Sequence, residues 1–178
     1  MTAQQVILLV INIIGGIAVL ASYVYGLSAQ SGGANVLWGG VPANIRPVYT
    51  VSMILSALGY FAFLYFIFFR LTPADTTIAG RFGFSLFSII FILMLLPSAL
   101  WMPLTNLYTG NPGTGLWVGI RVVLFIVGLA SAALLWAFLT LNTREPAIPY
   151  WLAVAGSAYF TFHTLVLDAI IWAALFKQ

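Results

Sequence analysis

Long apolar runs separated by short polar connections are the dominant pattern of the chain. Each run exceeds the roughly 20 residues that an α-helix needs to cross about 30 Å of hydrocarbon. The pattern predicts five transmembrane helices, over residues 6–27, 47–69, 82–105, 115–141 and 149–175. An odd number of spans puts the two termini on opposite sides of a membrane. The predicted fold is therefore an all-α integral membrane protein, a five-helix bundle that forms a single domain over residues 1–178.

The composition agrees with a multi-pass protein that has the lipid bilayer as its main partner. The chain is 63% hydrophobic and 5% charged, whereas about a quarter of the residues of a soluble domain are charged. The net charge of +3 comes from six scattered basic residues. No basic run indicates nucleic-acid binding. The first apolar run lacks a basic leader, so we expect a retained span rather than a cleaved signal. The basic residues favour a cytoplasmic N-terminus only weakly, and the sequence leaves the membrane undetermined.

The last apolar run holds the most unusual polar residues. It carries the only histidine, His163, and one of three acids, Asp168. An ionisable group at membrane depth is costly, so it is expected to face protein or a water-filled space. In an α-helix His163 lies about 140° away from Asp168, and no direct pair between them is expected. Helical spacing instead predicts that Asp168 shares one stripe, lining a pocket or an interhelical seam, with Ser157, Thr161, Thr164 and Trp172.

Arg121 is the other charged residue well inside a predicted span. A long arginine side chain near a helix end commonly extends to the membrane surface. The alternative is that Arg121 pairs with Asp168 or with an anionic ligand. Arg121, His163, Thr164 and Asp168 are thus the candidate intramembrane polar residues.

The residue types present exclude several chemistries. One histidine and no cysteine cannot supply a three-ligand zinc site or bis-histidine haem within one chain. The only lysine, Lys177, lies near the C-terminus, too late for a retinal Schiff base within a span. No convergent nucleophile and base, and no phosphate-binding loop, can be identified. We expect neither enzyme activity nor a metal nor a required cofactor.

Aromatic residues are the positive signal, at 16% of the chain. Rings at span ends are typical of the belts at membrane surfaces, which accounts for most of them. A subset can instead line a slot for a flat apolar molecule.

Four stretches, Trp38–Thr50, Ala99–Leu104, Pro149–Tyr150 and Ala158–Tyr159, resemble motifs of the TspO/MBR family, the tryptophan-rich sensory or translocator proteins. Residues Trp38–Thr50 resemble that family's first loop and the opening of its second helix. Residues Ala99–Leu104 are similar to the end of its third helix. Pro149–Tyr150 and Ala158–Tyr159 are similar to parts of its fifth helix. Tyr49 stands where that family has tryptophan, Ser98 where it often has asparagine, and Thr161 where it has asparagine.

The resemblance implies a five-helix bundle, often a homodimer, that binds a hydrophobic small molecule such as a porphyrin or other tetrapyrrole, or a sterol. Its roles would be those of a receptor or a transport-type protein. Carried over by position, the ligand-binding residues are Trp38, Tyr49, Ser98, Trp101, Ala158 and, more weakly, Thr161.

Two other functions remain open from the sequence. A small, ring-rich and charge-poor chain also suits a structural subunit of a larger respiratory or photosynthetic membrane complex. The single intramembrane acid would suit a small transporter that is coupled to protons or ions through Asp168.

Overall fold

Five long helices form the fold. The computed structural model describes residues 1–29 and 34–176, so Lys177 lies outside the described residues. No β-strand occurs in that described part; only isolated bridges join Ile78 to Phe82 and to Leu141. The helices are α1 (Ala3–Ala29), α2 (Arg46–Arg70), α3 (Ser85–Gly110), α4 (Thr114–Leu139) and α5 (Ala147–Leu175). All five are long and apolar enough to cross a membrane, as the sequence pattern predicted.

The predicted boundaries differ most at α3. The sequence placed its start at residue 82, but Ile78 donates its N–H to the carbonyl of Phe82 at 2.7 Å. This turn delays the helix to Ser85. Pro103 remains inside the helix, which continues to Gly110 instead of ending near residue 105.

The helices are not arranged in chain order. α1 packs along α3, α3 along α4, α4 along α5, and α5 along α2. The order around the bundle is therefore α1, α3, α4, α5, α2. Hydrogen bonds between α2 and α1 close this order into a ring. Tyr60 donates its hydroxyl to Asn12, and the carbonyl of Phe68 accepts a bond from Gln5.

Glycine allows the closest helix contact, between α2 and α5. A Cβ atom at Gly59 would lie 2.8 Å from the carbonyl oxygen of Gly156, and one at Gly156 would lie 2.7 Å from that of Gly59. Small residues of this kind let two backbones touch in apolar bundles. In α1, a Cβ atom at Gly15 would lie 2.8 Å from the side chain of Leu95 of α3, whereas one at Gly16 would meet nothing within 4 Å.

The connections divide the bundle into two ends. Asn142 bonds to the N–H of Thr77 and to the carbonyl of Asp75, which brings the α2–α3 and α4–α5 connections together. Here the interior is filled by buried rings: Phe63, Phe66, Phe84, Phe87, Phe91, Phe138 and Tyr150. The other end, which we call the first-loop end, carries the α1–α2 connection, the α3–α4 connection and the end of α5. The candidate site lies at the first-loop end.

Candidate functional site

An unusual stretch of α5 brings His163 and Asp168 together. Between Phe162 and Trp172 the helix has π-helical geometry, in which hydrogen bonds join residues five apart. Residues five apart therefore lie almost one above the other. His163 Nε2 is 3.6 Å from Asp168 Oδ2. The sequence-based expectation that these residues face different directions was wrong, because it assumed α-helical geometry throughout.

His163 connects this pair to α2. Its Nδ1 lies 2.9 Å from the hydroxyl oxygen of Ser52, and the contact is buried. Depending on the tautomer, the ring nitrogen donates or accepts this bond. Ser52, His163 and Asp168 thus form a continuous polar chain from α2 to the carboxyl group.

Thr164, the next residue on α5, contacts α4 instead of α2. Its hydroxyl lies 2.8 Å from that of Ser131 on α4, in a buried contact. The predicted polar stripe is therefore divided: Thr164 contacts α4, whereas Asp168 lies on the side of His163, which contacts α2. The π-helical turn causes this, because it alters the angle between successive side chains.

Contacts of its neighbours place Asp168 beside α2 and α1. Leu167, the residue before it, accepts a hydrogen bond from Tyr49 of α2. Trp172, one turn later, contacts Trp101, whose ring meets Tyr23 of α1. The side chain of Asp168 is 31% exposed. Apart from the long contact to His163, it has no polar partner among the described residues. A contact of 3.6 Å exceeds hydrogen-bond length, so the carboxyl group keeps most of its bonding capacity.

Tyr49 fixes the position of α2 against the π-helical stretch. Its hydroxyl donates to the carbonyl of Leu167 at 2.9 Å in a buried contact. The half-buried ring of Trp38 meets Tyr49 edge-on, with 5.8 Å between the ring centroids. The guanidinium of Arg46 lies over Trp38 at 5.7 Å. Trp38 and Tyr49, both predicted as ligand-binding residues, therefore lie together beside the segment that carries Asp168.

Trp101 is the third predicted ligand-binding residue at the first-loop end; Trp38, Tyr49 and Trp101 are called the group below. Its ring contacts Tyr23 at 5.8 Å and Trp172 at 5.5 Å between centroids. Its Nε1–H is buried and has no acceptor among the described residues. An unsatisfied buried donor costs roughly 1–3 kcal/mol.

A packed aromatic cluster closes the bundle behind Trp101. Trp172 lies 4.6 Å from Phe176, and Trp117 stacks on Phe176 at 5.6 Å. Tyr108 completes the cluster. These rings fill the space between the first-loop ends of α3, α4 and α5. The ring-lined hollow that the sequence suggested is thus not at the centre of the bundle, and the exposed side of Asp168 lies towards α1 and α2.

The described part of the first loop covers the aromatic cluster. A 3₁₀ helix spans Ala34–Trp38, and Leu37 accepts a 3.0 Å hydrogen bond from Trp172 Nε1. Gly39 follows with φ of +52°, and a Cβ atom there would lie 2.4 Å from the ring of Phe176. Only glycine satisfies both the positive φ and this close approach. The loop is therefore held against the end of α5.

Three of the predicted ligand-binding residues lie outside the group. Ser98 and Thr161 donate their hydroxyls to carbonyls of their own helices, those of Met94 and Ser157. Ala158 is exposed, and its assignment as a ligand-facing residue stays a prediction. It lies two positions after Gly156, about 200° round the helix from the contact with α2.

Arg121 does not pair with Asp168. Its side chain is exposed in a shallow apolar groove along α4, together with Val118, Val122 and Phe125. The alternative in which it neutralises Asp168 was wrong, because α4 presents this face away from the other helices.

Sequence reasoning missed Ser52 and Tyr23. A signal for Ser52 existed: Ser52, Ser56 and Gly59 recur at helical steps of four and three, and all three are buried. Such a row of small residues indicates a close helix contact. Nothing in the sequence distinguishes Tyr23 from the other tyrosines of the chain.

The residues of this site do not form a metal centre, since no group of three or more histidine, cysteine or acidic side chains occurs among residues 1–29 and 34–176. Comparisons with protein-family models, with curated proteins and with solved structures found no match for the chain. The fold and site define an all-helical bundle of five long apolar helices with a carboxyl group accessible between α1 and α2. The TspO/MBR resemblance stays a prediction that depends on its motifs.

Proposed function

We propose that the protein is a multi-pass integral membrane protein that binds a flat hydrophobic molecule between α1 and α2, beside Asp168. Five apolar helices of sufficient length support the membrane assignment. An acid at membrane depth is retained where it faces protein, water or a ligand. The motif resemblance adds tetrapyrroles and sterols as ligand classes, and a homodimer as the assembly.

The observation that carries the proposal is the environment of Asp168. The side chain of Asp168 is 31% exposed. It follows Leu167, to which Tyr49 donates a hydrogen bond, and precedes by one turn Trp172, which contacts Trp101. Aromatic walls with a few polar groups are the usual construction of small-molecule sites. Trp38 packs against Tyr49, and Trp101 packs against Tyr23, so both tryptophans extend these aromatic walls.

α1 and α2 do not pack extensively on each other, which supports entry from the side. Their hydrogen bonds, through Asn12 and Gln5, lie in the half of α1 remote from the first loop. α1 otherwise packs on α3 and α2 on α5. A ligand dissolved in the bilayer would reach Asp168 between the two helices without passing through the packed aromatic cluster.

Titration of the purified protein with a porphyrin tests the proposal through quenching of tryptophan fluorescence. We expect saturable binding that Trp38→Phe and Trp101→Phe weaken. Trp151→Phe is the matched control, since Trp151 is 59% exposed and lies at the opposite end. Equal affinities of all three variants would show that the site is elsewhere. Copurification with other polypeptides in mild detergent would favour the structural-subunit alternative.

One observation also favours the transporter alternative. The chain Ser52–His163–Asp168 consists of groups that can exchange protons, with contacts of 2.9 Å and 3.6 Å. Proton-dependent flux in proteoliposomes that is lost in Asp168→Asn and kept in Asp75→Asn would support that function. Unchanged flux in Asp168→Asn would exclude it.

A further inference from the structure

The charge balance around Asp168 indicates what its ligand carries. Among the described residues, the only ion-pairing contact is the one between His163 and Asp168, and no arginine takes part in it. Arg46, at the same end, is bound to Asn35 and to the carbonyl of Val41. Arg121 is exposed on α4. The site thus offers a carboxyl group with no arginine beside it, and a carboxyl group in an apolar surrounding ionises readily only next to a cation.

The neighbouring side chains are suited to a cation. Tyr49 bonds to Leu167, the residue before Asp168, and Tyr23 packs against Trp101; the face of such an aromatic ring attracts a positive charge. Tyr49 uses its own proton on Leu167, so its oxygen is left as an acceptor. The Nδ1 atom of His163 contacts Ser52, and its other ring nitrogen, Nε2, lies 3.6 Å from the carboxyl group of Asp168.

We infer that the site selects hydrophobic molecules with a basic nitrogen, whose ammonium group pairs with Asp168 while their flat apolar part lies against Tyr23 and Trp101. This inference rests on the proposed function and narrows its ligand class. An ammonium supplies both hydrogen-bond donors and the positive charge that stabilises the ionised form of Asp168. Anionic ligands are disfavoured, because they offer Asp168 no positive charge and would themselves lie in an apolar surrounding without a cation.

A series of three probes with one ring system tests the inference: naphthylethylamine, naphthylethanol and naphthylacetic acid. The amine is protonated at neutral pH, as a lysine side chain is. Binding is measured by equilibrium dialysis against protein in zwitterionic lipid nanodiscs, with empty nanodiscs subtracted to remove partitioning. Hydrogen bonds to charged groups contribute roughly 1.5–3 kcal/mol. We therefore expect the amine to bind about ten- to hundredfold more tightly than the alcohol, and the acid more weakly than both.

Two variants locate the preference. Asp168→Asn keeps the shape of the side chain and removes its charge, so it should reduce amine affinity to that of the alcohol and leave the alcohol unchanged. Asp75→Asn is the matched control, because Asp75 is exposed in the α2–α3 connection, and it should bind like the wild type. The probe series on the wild-type protein remains decisive even where Asp168→Asn does not fold.

The outcomes separate the inference from the function on which it rests. Equal, saturable binding of amine and alcohol would overturn the preference for a cation and leave the hydrophobic site in place. Tighter binding of the acid would overturn it as well. Absence of saturable binding for all probes and for porphyrin would overturn the proposed function itself.

Discussion

Gly59 of α2 and Gly156 of α5 meet backbone to backbone: their Cα regions are so close that a Cβ atom on either would come within 2.8 Å of the other residue's main chain. No side chain separates the two helices at this crossing. The same two helices carry Ser52 and His163, so the crossing also sets the distance across which the polar chain forms.

Gly156→Ala should destabilise the protein by roughly 1–3 kcal/mol, because overpacking at a rigid backbone contact forces the helices apart. Unfolding by SDS in mixed micelles, followed by tryptophan fluorescence, measures the change. Gly16→Ala is the matched control. Nothing lies within 4 Å of a Cβ at Gly16, and alanine is the better helix former by about 1 kcal/mol. Equal effects of the two substitutions would contradict the close contact.

Ser52→Ala should lower stability by about 1 kcal/mol, since it leaves the buried Nδ1 of His163 without its partner. Ser28→Ala serves as control, because that hydroxyl bonds to Tyr25 in its own helix and is exposed. The same unfolding assay compares them. A loss no larger than that of the control would mean that His163 obtains another partner at no cost.

Trp101→Phe and Trp172→Phe should differ although both remove an indole. Trp172 donates to Leu37 at 3.0 Å, so its replacement also breaks a buried hydrogen bond. The N–H of Trp101 has no acceptor in the described structure, so removing it relieves an unsatisfied donor. We expect Trp172→Phe to be more destabilising by about 1–3 kcal/mol. A larger loss for Trp101→Phe would show that its N–H has a partner in the folded protein.

The membrane topology can be tested cleanly because the chain contains no cysteine. Single cysteines at the exposed positions Thr2 and Ala74 should react with an impermeant thiol reagent from one side of the membrane. Those at Ala43 and Asn111, which are exposed at the first-loop end, should react from the other side. Labelling of Thr2→Cys and Asn111→Cys from the same side would contradict five spans.

The long helices were predictable because their signal is strong. Each apolar run is long enough to cross a membrane as a helix, and polar connections separate the runs clearly. The end of α3 was less predictable. Pro97 and Pro103 both lie inside that helix, where proline usually signals an end, and packing against neighbouring helices overrides the local preference.

The candidate site was predictable only in part. Trp38, Tyr49 and Trp101 lie at one end of the bundle, whereas Ala158 faces outward. The pairing of His163 with Asp168 could not be read from periodicity, because no residue type marks a π-helical turn in the way that proline or glycine marks a break. The position of Asp168 between α1 and α2 depends on the order of helices around the bundle, which a single sequence does not contain.

The π-helical stretch leaves α5 held on two sides by consecutive residues, His163 on Ser52 and Thr164 on Ser131. Any turn of this helix about its long axis breaks both attachments together, because the partners lie on opposite flanks. Two contacts that would be lost together therefore hold α5 in its orientation. The orientation of Asp168 towards α1 and α2 depends on both of them.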